Sequence, residues 1–83
     1  MTQTAPLAFD DFARLLSDGL DVELEALRPE ARLVEDIGLD SFDLVEVLTL
    51  VEELGVRFPD DVAAGIDTVG ELYQEYCRRA GRG

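Results

Sequence analysis

Few side chains in this sequence can do covalent chemistry. Ser41 stands in the run Asp40-Ser41-Phe42-Asp43, between two carboxylates, and Cys77 is the one thiol. There is no histidine. Neither the hydroxyl nor the thiol therefore has an imidazole to take its proton, which excludes Ser-His and Cys-His nucleophilic catalysis and any histidine metal site. Asp36, Asp40 and Asp43 do not form a calcium loop, because an EF-hand needs acids at its first, third and fifth positions and a glycine at the sixth. A single cysteine makes no internal disulfide, and Cys77 reads as a half-buried filler beside Tyr73 and Tyr76. No catalytic and no metal-ligating residue is expected. Ser41 is left with two readings: a helix cap, or an acceptor that another enzyme modifies.

Composition narrows the setting. The 83 residues carry 19 Asp and Glu against 7 basic residues, every one an arginine, for a net charge of −12. Nucleic acid and anionic membranes both require a basic footprint, so neither is expected as a partner. A protein with a basic patch is, since the acidic surface would steer it in. With 47% hydrophobic residues the chain is too apolar for a disordered acidic tail. One domain is expected over residues 1–83, folded over about 7–80. Met1 to Ala8 shows no export signal, and no apolar run approaches the roughly 20 residues of a membrane span. A cytoplasmic monomer is the expectation.

The elements that must position Ser41 are helical. Phe9, Phe12, Ala13, Leu16 and Leu20 recur at helical spacing and predict a first helix from about Leu7 to Leu20. A long connection follows from Asp21 to Asp40, broken by Pro29. Its apolar points Val22, Leu24, Leu27, Leu33, Val34 and Ile37 are expected to plug into the core. The second helix should run from Ser41 to about Leu54, with Asp40 as N-cap, Asp43 completing a capping box, and Gly55 as stop. Pro59 suits the first turn of a short helix through Ala64, stopped by Gly65. The last helix opens at Asp67 or Thr68, with Thr68 and Glu71 fitting a capping box. Its stripe is Val69, Leu72, Tyr73, Tyr76 and Ala80, Gly81 should end it, and Arg78, Arg79 and Arg82 suit its C-terminus. Ser17 and the threonines outside these caps are expected at the surface. The predicted fold is all-α: a four-helix bundle of three main helices and one short one, with a long loop between the first and second.

A helical wheel of the second helix, at about 100° per residue, is informative. Leu44, Val47, Leu48, Val51 and Leu54 form a core stripe. Phe42, Val45, Glu46, Thr49 and Glu53 fall opposite, with Asp40, Asp43 and Glu52 around them. Two apolar residues inside an acidic rim, on the side that should face water, leave two readings: a docking surface, or a Phe42 folded back over the loop with the acids merely solvated. Ser41 lies at the positive end of that helix, where a phosphate ester would gain about 0.3–1 kcal/mol, less the repulsion of the neighbouring acids.

The run Val34-Glu35-Asp36-Ile37-Gly38-Leu39-Asp40-Ser41-Phe42-Asp43-Leu44-Val45-Glu46 closely resembles the attachment motif of acyl carrier proteins, approximately V-E-D-L-G-x-D-S-L-D-x-V-E. The resemblance extends over nearly the whole chain. It takes in the spacing from Leu20 to Ser41, the Phe58-Pro59-Asp60 turn, and Ile66-Asp67-Thr68-Val69 at the last helix. It implies that Ser41 receives a 4′-phosphopantetheine arm from coenzyme A and that acyl groups are carried on the arm's thiol. It also implies partners: a phosphopantetheinyl transferase, and acyl-transferring, synthase or ligase enzymes with basic docking patches. By the same resemblance the partner face comprises Asp40, Phe42, Asp43, Val45, Glu46, Thr49, Glu52 and Glu53.

Three features depart from the family's usual pattern. The stretch Glu52 to Pro59 is one residue short, Arg57 stands where an acid is usual, and Thr49 replaces a bulkier apolar contact. These lean towards a specialised polyketide or related pathway over housekeeping fatty-acid synthesis. Gly-Leu-Asp-Ser-Phe argues against a peptidyl carrier. An aminoacyl carrier of the same superfamily, and an unmodified acidic helical adaptor, are the alternatives.

Overall fold

The computed structural model describes residues 7–80. It contains α1 (Phe9–Leu20), α2 (Ser41–Glu53), α3 (Asp60–Gly65) and α4 (Val69–Ala80), with a 3-10 turn at Leu24–Ala26. The predicted all-α architecture, three longer helices and a short one with a long α1–α2 connection, is the one observed. Gly81 as the end of the last helix, Arg82, and Met1 to Pro6 of the N-terminus lie outside the described residues.

The core draws on the three long helices and the connections between them, while the short α3 contributes no fully buried residue. Phe12 and Leu16 of α1, Val47 and Val51 of α2, and Val69, Leu72 and Tyr76 of α4 are all buried. Each fully buried large side chain contributes about 1.5–3 kcal/mol by leaving water. The Phe12 ring stacks on Tyr76 with centroids 4.9 Å apart, and Phe9 meets Tyr73 edge-on at 5.2 Å. Leu50 was absent from the predicted stripe, yet it packs towards α1 at Gly19, where a Cβ would sit 2.5 Å from one of its methyls.

Helix boundaries shift for identifiable reasons. The first helix begins at Phe9 rather than Leu7. The Leu7 backbone is committed elsewhere: its N–H donates to the Tyr76 hydroxyl at 2.8 Å, and its carbonyl accepts from the Tyr73 hydroxyl at 2.7 Å. α2 stops at Glu53, one residue short of the expected Leu54, and Gly55 supplies the left-handed turn at φ +89°. Pro59 takes the N-cap position of α3 in extended geometry, instead of its first turn. At α4 the predicted capping box forms. The Glu71 N–H donates to the Thr68 hydroxyl at 3.1 Å, and the Glu71 carboxylate accepts from Thr68 and Asp67 backbone N–H groups.

The connection is only partly plugged. Leu27 and Leu33 are buried and Val22 and Ile37 half-buried, but Leu24 and Val34 are exposed, contrary to expectation. Leu24 faces solvent from the 3-10 turn. Val34 follows a stretch held by backbone pairing to the start of α4: the Leu33 N–H donates to the Asp67 carbonyl at 2.8 Å, the Val69 N–H to Ala31 at 3.0 Å and the Gly70 N–H to Pro29 at 2.9 Å. Ser17 is half-buried rather than a plain surface residue, and its hydroxyl donates to the Val22 carbonyl just past α1.

Candidate functional site: an exposed serine at the mouth of an apolar cavity

The chain reaches Ser41 through a series of tight turns. The Asp36 and Ile37 N–H groups both donate to the Arg32 carbonyl at 3.0 Å, and the Asp36 carboxylate accepts from the Arg32 N–H at 2.9 Å. Gly38 then takes φ +89°, a conformation costly for any residue with a Cβ. Leu39 is buried and donates its N–H to the Leu33 carbonyl at 3.0 Å, anchoring the residue before the cap.

Asp40 is the N-cap of α2, in extended conformation. Its carboxylate accepts from the Asp43 N–H at 2.9 Å, while the Asp43 carboxylate accepts from the Asp40 N–H at 3.3 Å. This sets aside the reading of Ser41 as the helix cap. The capping falls to the aspartates, and Ser41, first residue of the helix, is exposed with its hydroxyl free of that task.

Beside Ser41 opens a cavity of about 470 Å³. One wall is α2 (Leu44, Val45, Val47 and Leu48), another is α3 (Ala63 and Ala64), and Leu33 and Val34 of the connection close a third side. Leu72 of α4 also lines it, and Leu72 and Val47 are the buried members of the two long helices here. Leu44 and Leu48 were expected in the core. They are half-buried because they line this cavity. The lining is mostly apolar, apart from Ser41 and Asp67.

The residues predicted to form a partner face lie mostly at the surface. Phe42 is 73% exposed and Val45 60%, a large cost in unburied apolar surface for a helix that could have carried polar residues there. Asp40, Glu52 and Glu53 are exposed around them; Asp43 and Glu46 are half-buried rather than fully solvated. Thr49 is exposed and donates its hydroxyl back to the Val45 carbonyl at 3.1 Å. Val34, 53% exposed, adds an apolar residue beside Ser41 that the helical wheel could not supply. The α3 wall was also missed; its only sequence signal is the small run Ala63-Ala64-Gly65, which leaves room rather than filling it. Arg57 is exposed, pointing out between buried Val56 and Phe58.

Among the described residues, two ionisable groups depart from their ordinary ranges. The Arg32 guanidinium is raised by its hydrogen bond to Glu35, then by the charges of Glu35 and Asp67. The Tyr73 hydroxyl is pushed up to about 12 by a hydrogen bond with Cys77, and further by burial. Neither belongs to the Ser41 cavity.

The family model described as "Phosphopantetheine attachment site" matches residues 10–75, most of the chain. The chain belongs to the acyl carrier protein family. It is 38% identical to an acyl carrier protein of Picosynechococcus sp. over 74 residues, 88% of this chain and 91% of that one. It is 40% identical to an acyl carrier protein of Wolinella succinogenes over 65 residues, covering 77% and 86%. A Helicobacter pylori acyl carrier protein is 38% identical over 65 residues, covering 77% and 83%. The chain is thus a carrier, not an enzyme, and its cofactor is covalently attached 4′-phosphopantetheine. As an acyl carrier protein it works with a phosphopantetheinyl transferase and with synthase and transferase enzymes. None of the described helices is long and apolar enough to cross a membrane.

The residues fit the cofactor. An exposed primary hydroxyl at the N-terminal end of a 13-residue helix offers a place for a phosphodiester, with the positive end of the helix dipole beneath it. An apolar cavity opens within reach of the same residue.

Proposed function

We propose that Ser41 is the attachment residue and that the carrier serves a specialised polyketide or related biosynthetic pathway in the cytoplasm, as a single-domain monomer. The observation that carries the attachment reading is the division of labour at the start of α2. Asp40 and Asp43 cap the helix, and Ser41 is left exposed at the cavity mouth. The arm supplies a terminal thiol, on which acyl groups are held as thioesters.

The chain's own residues do the rest. Asp40, Asp43, Glu46, Glu52 and Glu53 attract a basic docking patch and set its orientation, and Phe42, Val45 and Thr49 supply the contact that excludes water. A small, charge-steered interface releases quickly, as a carrier that visits several enzymes requires. The cavity shelters the acyl chain between visits, its apolar lining replacing water around the methylenes. Arg57, exposed at the end of an otherwise acidic face, supports a partner set different from that of a uniformly acidic carrier.

The test is to convert the protein to its holo form, load it with an acyl group and treat it with neutral hydroxylamine. Loss of the acyl mass with retention of the arm supports thioester carriage. Retention of the acyl group, or its absence from the arm, contradicts it.

A further inference from the structure

The stretch Pro29–Leu33 lies across the start of α4 like a strap, and the contact is closest at Gly70. The Gly70 N–H donates to the Pro29 carbonyl at 2.9 Å. A Cβ on Gly70 would come within 2.8 Å of that same oxygen and 3.4 Å of the Pro29 carbonyl carbon. The obstacle is backbone, so no side chain could rotate away, and any larger residue must push the strap and α4 apart. Two further bonds, from Leu33 to Asp67 and from Val69 to Ala31, continue the pairing, and Arg32 and Thr68 face each other in an antiparallel bridge. Outside it the Arg32 guanidinium lies 3.8 Å from the Asp67 carboxylate.

The strap is also a wall. Leu33 and Val34 line the cavity from its side, and Asp67 and Leu72 line it from the side of α4. The strap's far end holds Leu39, two residues before Ser41, through the Leu33 carbonyl. The strap thus runs as continuous backbone from the Gly70 contact to the cavity wall.

We propose that Gly70 is a positioning residue for cargo: its missing side chain seats the strap, and the seated strap gives the cavity the width that shelters a medium-length acyl chain. This rests on the reading that Ser41 carries the arm beside the cavity. Displacing the strap shifts the loaded chain's population from sheltered to solvent-exposed, and cleavage of the thioester reports that exposed fraction.

The experiment loads holo wild type, Gly70→Ala, Arg32→Gln and Tyr73→Phe with either an octanoyl or an acetyl group. Release by neutral hydroxylamine is then followed by intact mass. In the wild type, octanoyl release is slower than acetyl release. Gly70→Ala raises the octanoyl rate by about threefold or more and leaves the acetyl rate unchanged, whereas Tyr73→Phe, which loosens the bundle at Leu7 away from the strap, leaves both rates unchanged and so separates the strap from general loss of stability. Arg32→Gln removes an exposed ion pair without adding atoms to the contact. It shifts the octanoyl rate in the same direction by less, and it serves alone if Gly70→Ala does not fold. An octanoyl-to-acetyl ratio unchanged in every variant that folds overturns the inference, as does a wild type that releases both groups equally fast. A protein that never accepts the arm fails at the earlier step, and overturns the Ser41 reading with it.

Discussion

Asp40 and Asp43 hold each other's backbone N–H groups across the first turn of α2, at 2.9 and 3.3 Å, and Ser41 sits between them with its hydroxyl exposed. A serine at a helix start is most often the cap itself. Here the two acids take that role, so the residue best placed for modification is freed by its neighbours. The same two acids belong to the proposed docking face, which would give each a structural and an electrostatic part to play.

Asp40→Ala removes the N-cap acceptor and is expected to cost about 1 kcal/mol of stability, within the 0.5–2 kcal/mol range for lost caps. Arm transfer should slow as well, because the first turn frays around Ser41. Urea denaturation beside a transfer time course checks both, and unchanged values in both would contradict the reading of the cap.

Phe42→Ser tests the docking face without touching the core. Phe42 is 73% exposed, so stability should stay within about 0.5 kcal/mol of wild type. Transfer by a phosphopantetheinyl transferase should fall by about tenfold in kcat/KM if Phe42 is a desolvated contact. An unchanged kcat/KM in a normally folded variant would remove Phe42 from the interface.

Much of this arrangement was legible beforehand, and the exceptions share a cause. Helical spacing located α1, α2 and α4, Pro59 and Gly65 bracketed the short α3, and the capping boxes at Asp40 and Thr68 formed as spaced. Periodicity describes one helix at a time, however. It could not show that Leu44 and Leu48 would border a cavity instead of filling the core, since that depends on the small residues Ala63 and Ala64 of α3. Nor could it place Val34, which is exposed because backbone pairing turns the strap, a tertiary constraint without sequence period. Leu7 has the right spacing for α1 and is lost from it to two tyrosine hydroxyls far along the chain.

Net charge predicts a salt response. With −12 on 83 residues, the acids repel one another in the compact state more than in the unfolded chain. Raising ionic strength from about 0.01 M to about 0.1 M shortens the screening length from about 30 Å to about 10 Å, and the melting temperature should rise. Calorimetry at neutral pH with added salt or magnesium measures it; a flat or falling melting temperature would show that repulsion is not a material cost.

Alkaline pH should weaken the fold through Tyr73. Its hydroxyl is raised from an ordinary value of 10.0 to about 12, so between those values the folded state keeps a proton that the unfolded state has lost. The stability this contributes is fully present below about pH 10 and is lost as pH rises towards about 12. Tyr73→Phe should flatten the decline in melting temperature over that window, at the cost of the hydrogen bond to Leu7. An equally steep decline in the variant would assign the alkaline sensitivity elsewhere.

The central claim is most directly tested by intact mass after incubation with coenzyme A and a promiscuous phosphopantetheinyl transferase, with wild type and Ser41→Ala side by side. The account predicts a gain of one phosphopantetheine on the wild type and none on the variant, with both proteins folded. A gain on Ser41→Ala, or no gain on folded, previously unmodified wild type, would contradict it.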